Sequence, residues 1–312
     1  MNKFAIAIHG GAGTILRSQM TSEKEQAYLK ALATSIDTGY KILQNAGSAL
    51  DAAEAAVRFL EDCTLFNAGK GSVYTSDGNH EMDAAIMDGS NLEAGAVAAV
   101  QQVRNPISLA RLVMDRSSHV LLVGNGALEF ARINDCRLES AEYFFDAYRY
   151  QQWLNAKGDN KVQLDHSFET ESKLDKYGTV GAVALDIHGN LAAATSTGGM
   201  TNKKFGRVGD SPIIGAGTYA NNKTCAVSCT GHGEFFMKNV VAFDVSCLME
   251  YKDMSLQEAC NHVIHCDLPE LGGEGGVIAV DKAGNISLTF NSSGMYRASR
   301  SSSHDRFTGI YS

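Results

Sequence analysis

Proline is scarce in this sequence, at 3 of 312 residues, while glycine is abundant at 31. That combination excludes a linker-rich chain and favours tight backbone turns inside a compact α/β body. Positive charge is also short: 35 acidic residues against 27 basic ones leave a net charge of -8. Nucleic acid and anionic membranes attract basic surfaces, so neither is expected as the main partner. No apolar run approaches the roughly 20 residues of a membrane helix. The opening MNKFAIAIHGG is too short for the apolar core of a secretory signal. Seven cysteines, at 63, 136, 225, 229, 247, 260 and 266, are odd in number and scattered. They do not read as a disulfide framework and point to a reducing compartment, so a cytoplasmic location is expected. No internal repeat of solenoid period is present.

Several catalytic signatures are missing too. Gly215-Ala216-Gly217-Thr218-Tyr219-Ala220 fits GxGxxA, but Asn221-Asn222-Lys223 reads as a turn where a dinucleotide site needs a helix. Gly69-Lys70-Gly71 lacks both the spacing and the Ser/Thr of a P-loop. HGGAG at 9–13 resembles a lipase oxyanion loop, yet no GxSxG accompanies it. His262, His265 and Cys266 could share a helix face, but no Cys or His pair is spaced to complete a closed metal site.

What is present suffices for a sizeable core: 44% of residues are hydrophobic and 20% charged. Residues 4–8 read as a strand running into HGGAG. Leu29, Leu32, Ile36, Tyr40 and Leu43 mark an amphipathic helix, with Ser22 and Glu25 as its capping box and Gly47 past its end. Ser48 and Asp51 open a second helix that runs to about Leu60. Residues 80–103 suggest two strands about an Asp88-Gly89 turn, and helices at 106–116 and 125–133 flank a strand at 119–123. Residues 155–177 are polar and almost free of aliphatic runs, a mobile leader into Gly178-Thr179. The segment 178–199 is a hairpin about His188-Gly189-Asn190. Strands at 211–217 and 224–230, helices at 232–251 and 255–265, and a hairpin of strands 276–280 and 286–290 complete the reading.

The chemistry that remains is that of threonine. A threonine hydroxyl is a weak nucleophile unless a base takes its proton. If Thr179 became an amino terminus, its own α-amine, titrating near ~8, could serve as that base. A preceding glycine can adopt strained conformations that expose its carbonyl to the hydroxyl. An N→O acyl shift followed by water would then break the Gly178–Thr179 bond.

Longer strings sharpen this. IHGGAG (8–13), FNAGKGSV (66–73), MDAAIMDG (82–89), GTVGAVALD (178–186), ATSTGGMTNK (194–203), GRVGDSPIIGAG (206–217) and SCTGHGE (228–234) occur in order. With them the chain resembles the plant-type asparaginases and isoaspartyl peptidases, N-terminal-nucleophile hydrolases, over nearly its whole length. The resemblance implies one αββα sandwich domain over 1–312, self-cleaved into an α subunit (1–178, with a mobile linker at about 155–178) and a β subunit (179–312). Two of each would assemble as a dimer of αβ units, a heterotetramer.

Carried over by position, Thr179 resembles the nucleophile and Thr197 the second threonine that tunes it. Thr230 and Gly231 resemble the oxyanion pair, and Asn67 a polar neighbour of the reaction centre. Arg207 and Asp210 match the substrate clamp, one for an α-carboxylate and one for an α-ammonium, with Gly231 and Gly233 as further contacts. Leu60, Glu61, Cys63, Phe66, Ala68 and Lys70 fall in a stretch resembling the family's structural sodium loop, whose ligands are backbone carbonyls. No cofactor is expected for catalysis. The implied activity is hydrolysis of β-aspartyl dipeptides and L-asparagine to aspartate. A glycosylasparaginase, or an uncleaved binding protein, are the alternatives. His232 stands where family members vary, often with Thr, which leaves leaving-group preference open.

Overall fold

A computed structural model describes residues 3–158 and 178–312. Its strands are β1 (Ala5–Gly13), β2 (Met82–Asp88), β3 (Ala94–Val100), β4 (Leu121–Val123), β5 (Val180–Leu185), β6 (Leu191–Thr197), β7 (Thr218–Ala220), β8 (Cys225–Gly231), β9 (Gly275–Asp281), β10 (Ile286–Phe290), β11 (Gly294–Ser301) and β12 (Phe307–Tyr311). Its helices are α1 (Ser22–Gln44), α2 (Ala49–Glu61), α3 (Pro106–Arg116), α4 (Gly124–Ile133), α5 (Ala141–Phe144), α6 (Ala147–Gly158), α7 (Gly233–Asn239), α8 (Val241–Lys252), α9 (Leu256–His262) and α10 (Leu268–Glu270).

The strands form two sheets, ordered β12-β11-β1-β5-β6-β2-β3-β4 and β10-β9-β8-β7. Neighbours pair antiparallel except β3 with β4, which is parallel. Helices α1 to α4 cover the outer face of the large sheet through Leu32, Ile36, Val57, Leu60, Ile107 and Val113. The outer face of the small sheet packs on α8 and α9 through Val241, Val245, Leu256 and Ala259. Between the sheets lie Ala5, Ala7, Val183, Ala193, Ala226, Ile278 and Val280. The result is the expected αββα sandwich. Strand alternation explains how one strand serves two layers: in β5, Val183 faces the inter-sheet core while Ala182 and Ala184 face the helices.

Local signals mostly hold. The Ser48 side chain accepts from Asp51 N and caps α2, and β5 and β6 pair in register about the 188–190 turn. Four expectations need correction. The cap of α1 is Thr21, whose side chain accepts from Lys24 N, so the helix starts one residue earlier than the proposed box required. Residues 211–217 are not a strand. Turn hydrogen bonds from Ile213 N and Gly217 N close this stretch on itself, and pairing begins only at Thr218. The helix expected over 232–251 is two, because Val240 adopts φ +49 and breaks the ladder between α7 and α8. The polar leader is shorter than expected at its start: residues 155–158 are the last turn of α6, and 159–177 lie outside the described residues.

Behind the site, Glu61 joins three elements. Its Oε1 accepts from Ile107 N at 2.9 Å and from Ser196 Oγ at 2.7 Å. The end of α2 is thereby tied to the start of α3 and to β6. Burial pushes this carboxyl up to about 8, against the opposing effect of the Ser196 hydrogen bond.

A β-branched residue in the left-handed region costs about 1–2 kcal/mol. Val240 is 42% exposed, so little packing would be lost with its side chain. Val240→Gly is expected to raise unfolding free energy by about 1 kcal/mol, measured as a shift in urea midpoint at constant slope.

Candidate active site

The polar end of the inter-sheet layer gathers residues from four strands. Thr179 precedes β5 and is buried. Val180 is paired with Ser196, which sets Thr179 opposite Thr197 at the end of β6. Gly199 N donates to Thr197 Oγ1 at 3.0 Å, so the hydroxyl proton of Thr197 is free to be given to another group. Asn67 holds that same turn. Its Nδ2 donates to Gly199 O at 2.8 Å, its Oδ1 accepts from Val73 N at 3.1 Å, and its carbonyl accepts from Gly198 N at 3.0 Å.

Thr230 and Gly231 end β8, and α7 begins at Gly233, so a strand hands over to a helix N-terminus as expected. Thr230 Oγ1 accepts from Ala12 N at 3.2 Å. A β-carbon built on Gly178 would lie 3.4 Å from that hydroxyl. On the other side of Gly178 is a bulge in β1 between His9 and Ala12. Gly11 sits in it at φ +111, and a side chain there would come within 2.4 Å of Gly178 N. Only glycine meets both demands. The Gly178 peptide is thus wedged between Gly11 and Thr230.

Thr179 Oγ1 is 3.4 Å from Ser211 Oγ, next in sequence to Asp210. Arg207 lies close by, held by Glu234 through two hydrogen bonds, Nε to Oε1 at 2.8 Å and Nη2 to Oε2 at 2.9 Å. A β-carbon on Gly233 would come 2.8 Å from Asp210 Oδ1 and 3.0 Å from Arg207 Nη2, so the two side chains close over a glycine. Asp210 is buried, and its Oδ2 has no hydrogen-bond partner among the described residues. Burial pushes its carboxyl up to about 7, with the Arg207 guanidinium opposing the shift. Glu234 is held low by Arg207 despite its partial burial. His232 lies at the rim, its Nε2 3.6 Å from Glu234 Oε2.

Sequence reasoning did not single out His9, Ser211 or Glu234 for roles here. His9 is wholly buried, and its Nδ1 lies 3.0 Å from the carbonyl oxygen of Thr179. Burial lowers its pKa to about 3, so the ring is neutral at ordinary pH. Its position in HGGAG was visible, but its partner lies 170 residues away in the chain.

The expected sodium stretch folds as a compact loop. The carbonyls of Cys63, Phe66 and Ala68 each accept one backbone N–H there, and that of Leu60 accepts from Asp62 and Cys63. A carbonyl has two lone pairs, so those of Cys63, Phe66 and Ala68 keep capacity for a hard cation. Among the described residues no three His, Cys, Asp or Glu side chains cluster as a metal site. His262 instead approaches Asp267, at 3.4 Å.

The family described as Asparaginase matches residues 2–310. The chain belongs to that family. It is 55% identical over 311 residues to the isoaspartyl peptidase of Salmonella typhimurium, covering 100% of this chain and 99% of that one. It is 53% identical to the isoaspartyl peptidase of Escherichia coli, covering 100% and 97%. A probable isoaspartyl peptidase/L-asparaginase of Arabidopsis thaliana is 42% identical over 95% of each chain.

The Asp210 carboxyl carries a sign for pH. Its folded pKa is raised, so its contribution to stability is full below the unfolded value near ~3.9 and is lost as pH rises through about 7. Asp210→Asn removes that loss. The variant should gain stability relative to the parent between pH 5 and pH 8, on the order of a few kcal/mol, read from urea midpoints at both values.

Proposed function

We propose that this chain is a threonine amidohydrolase that releases aspartate from β-aspartyl dipeptides and L-asparagine after cleaving itself between Gly178 and Thr179. The observation that carries the reading is the meeting of three threonines, with Thr179 opposite Thr197 and Gly178 against Thr230.

In self-cleavage, Thr179 Oγ attacks the Gly178 carbonyl carbon and the acyl group passes from nitrogen to oxygen. Water then hydrolyses the ester, leaving a carboxylate on Gly178 and a free amine on Thr179. Gly11 and Thr230 confine the carbonyl during this step, and the hydroxyl of Thr230 can donate to the developing oxyanion.

In turnover, the new amine accepts the Thr179 hydroxyl proton as the oxygen attacks the β-carbonyl of the substrate. Thr197 donates its free proton into the site. Thr230 and the Gly231 N–H would face the oxyanion, at a helix N-terminus suited to negative charge. Ammonia or an amino acid leaves with a proton, and water hydrolyses the β-aspartyl ester. Arg207 and Asp210 would bind the α-carboxylate and α-ammonium, with Gly233 beneath them. Asn67 acts through the turn that carries Thr197. Carbonyls of the 60–70 loop would hold a structural sodium ion, with no step passing through it. Assembly as a dimer of processed αβ units in the cytoplasm belongs to the same reading. Seven free cysteines support the location, and no helix among the described residues is long and apolar enough to cross a membrane.

Denaturing mass spectrometry of the purified chain, before and after incubation at neutral pH, tests this. Fragments 1–178 and 179–312 are expected, together with aspartate release from β-aspartyl dipeptides. Thr179→Ala should stay intact and lose at least about a thousandfold in turnover. A parent chain that remains whole under varied salt and pH would sink the proposal in favour of a binding protein.

A further inference from the structure

None of the steps above uses a polar row that begins and ends at Thr179. From the Thr179 carbonyl oxygen it passes to His9 Nδ1 at 3.0 Å, and from His9 Nε2 to Ser228 Oγ at 2.9 Å. Ser228 Oγ lies 2.7 Å from Thr195 Oγ1, which lies 2.7 Å from Thr218 Oγ1. Thr218 Oγ1 is also 3.0 Å from the carbonyl of Ser211, whose own hydroxyl approaches Thr179 Oγ1. All six residues are buried. Room for the row is built in. A side chain at Gly181 would come within 2.0 Å of Ser228 Oγ and 2.4 Å of His9 Nε2.

The proton order of the row can be worked out. A carbonyl oxygen only accepts, so His9 carries its proton on Nδ1 and gives it to Thr179. The ring is neutral, so Nε2 is bare and must accept from the Ser228 hydroxyl. Ser228 has then spent its only proton, and the 2.7 Å contact requires Thr195 to donate to it. Thr195, in turn, accepts from Thr218 across another 2.7 Å contact, and Thr218 shares that one proton with the Ser211 carbonyl at 3.0 Å. Moving the ring proton to Nε2 would set the lone pairs of Nδ1 and the Thr179 carbonyl against each other at 3.0 Å, which a buried site tolerates poorly.

Orientation matters at Thr179 because the proposed nucleophile and base share one Cα. Cleavage would free the residue from Gly178, and β5 begins only at Val180. The Thr179 carbonyl is then the nearest backbone group through which the protein can set the direction of both the amine and the hydroxyl. We propose that His9, its tautomer fixed by the Ser228–Thr195–Thr218 hydroxyls, is a positioning residue that aims Thr179 for attack. This rests on Thr179 being the nucleophile. Ser211 is bonded to Asp210, but no hydrogen bond of the row goes to the side chain of Arg207 or Asp210, so its loss should act on kcat and spare KM.

Two measurements test it. The first is the ¹⁵N spectrum of His9 in the cleaved parent protein between pH 5 and pH 8. A proton on Nδ1 with bare Nε2 is expected, the reverse of the form that a neutral histidine side chain favours in water. The second is kinetic, on Thr195→Val, which keeps the shape of the side chain, and on His9→Asn and His9→Gln. An Asn amide can reach the Nδ1 position and keep the bond to Thr179, whereas Gln reaches the Nε2 position. Thr195→Val should lose about tenfold to a hundredfold in kcat at unchanged KM, the scale expected of a misaimed reacting group. His9→Asn should retain more activity than His9→Gln. An Nε2–H ring in the parent protein would overturn the proposal even if every variant failed to fold. So would Thr195→Val turning over at the parent rate. If the parent itself never exposes Thr179, the nucleophile reading falls first, and the mass spectrum separates the two failures.

Discussion

Burying hydroxyls and a histidine between two sheets is the constraint on which the site depends. A polar group withdrawn from water without a partner costs on the order of 1–3 kcal/mol, and there are several here. The layer tolerates them because each meets another at short range: Thr195 with Thr218, Ser228 with His9, His9 with Thr179. Elsewhere in the same layer the filling is small and apolar, with Ala5, Ala7 and Ala193 of the large sheet facing Ala226, Ile278 and Val280 of the small one. The sheets can therefore pack closely at one end and present chemistry at the other. A closely packed layer with its hydroxyls linked to one another also limits movement of β1, β5 and β6 relative to β8, the strands that carry or flank the three threonines.

The glycines of the site follow from the same closeness. Gly11 lies against the Gly178 peptide, Gly233 lies beneath Arg207 and Asp210, and Gly181 gives His9 access to Ser228. Each position lacks a side chain because another polar group already fills that space. Backbone freedom is a separate requirement, met only at Gly11 of these three, where φ is +111. The bulge in β1 between His9 and Ala12 serves both purposes. It turns His9 toward Thr179 and brings Gly11 onto the bond proposed to break.

What could be read in the sequence was what neighbours in the chain decide. The β5–β6 hairpin announces itself by apolar runs about Gly189, and α2 by Ser48, because each depends on contacts within a few residues. Thr21 and Ser22 are both competent caps, and composition does not choose between them; the path of the chain entering α1 does. The residues 211–217 carry strand-like Ile213 and Ile214, but closure around Asp210 draws the backbone into turns. β11 and β12 went unread, and β11 pairs with β1, nearly 290 residues earlier in the chain. The site divides in the same way. Its threonines, Arg207 and Asp210 were identified through resemblance, whereas the row through His9, Thr195, Thr218 and Ser228 exists only once distant strands are stacked.

The electrostatics of Arg207 and Asp210, the proposed clamp, suit a substrate that carries both charges. Glu234 occupies Arg207 through Nε and Nη2, which fixes the plane of the guanidinium and leaves Nη1 without a carboxylate among the described ion pairs. Asp210 is the opposite case, a buried carboxyl with an unpartnered oxygen and a pKa raised to about 7. A ligand with only a carboxylate would satisfy Arg207 and leave Asp210 desolvated. A ligand with only an ammonium would do the reverse. An α-amino acid end answers both at once, and the attraction between Asp210 and an arriving ammonium strengthens as water leaves the site. On the proposed reading, selection for a free aspartyl end therefore arises from an incomplete charge balance in the protein itself. Thr179 then acts only on what completes it.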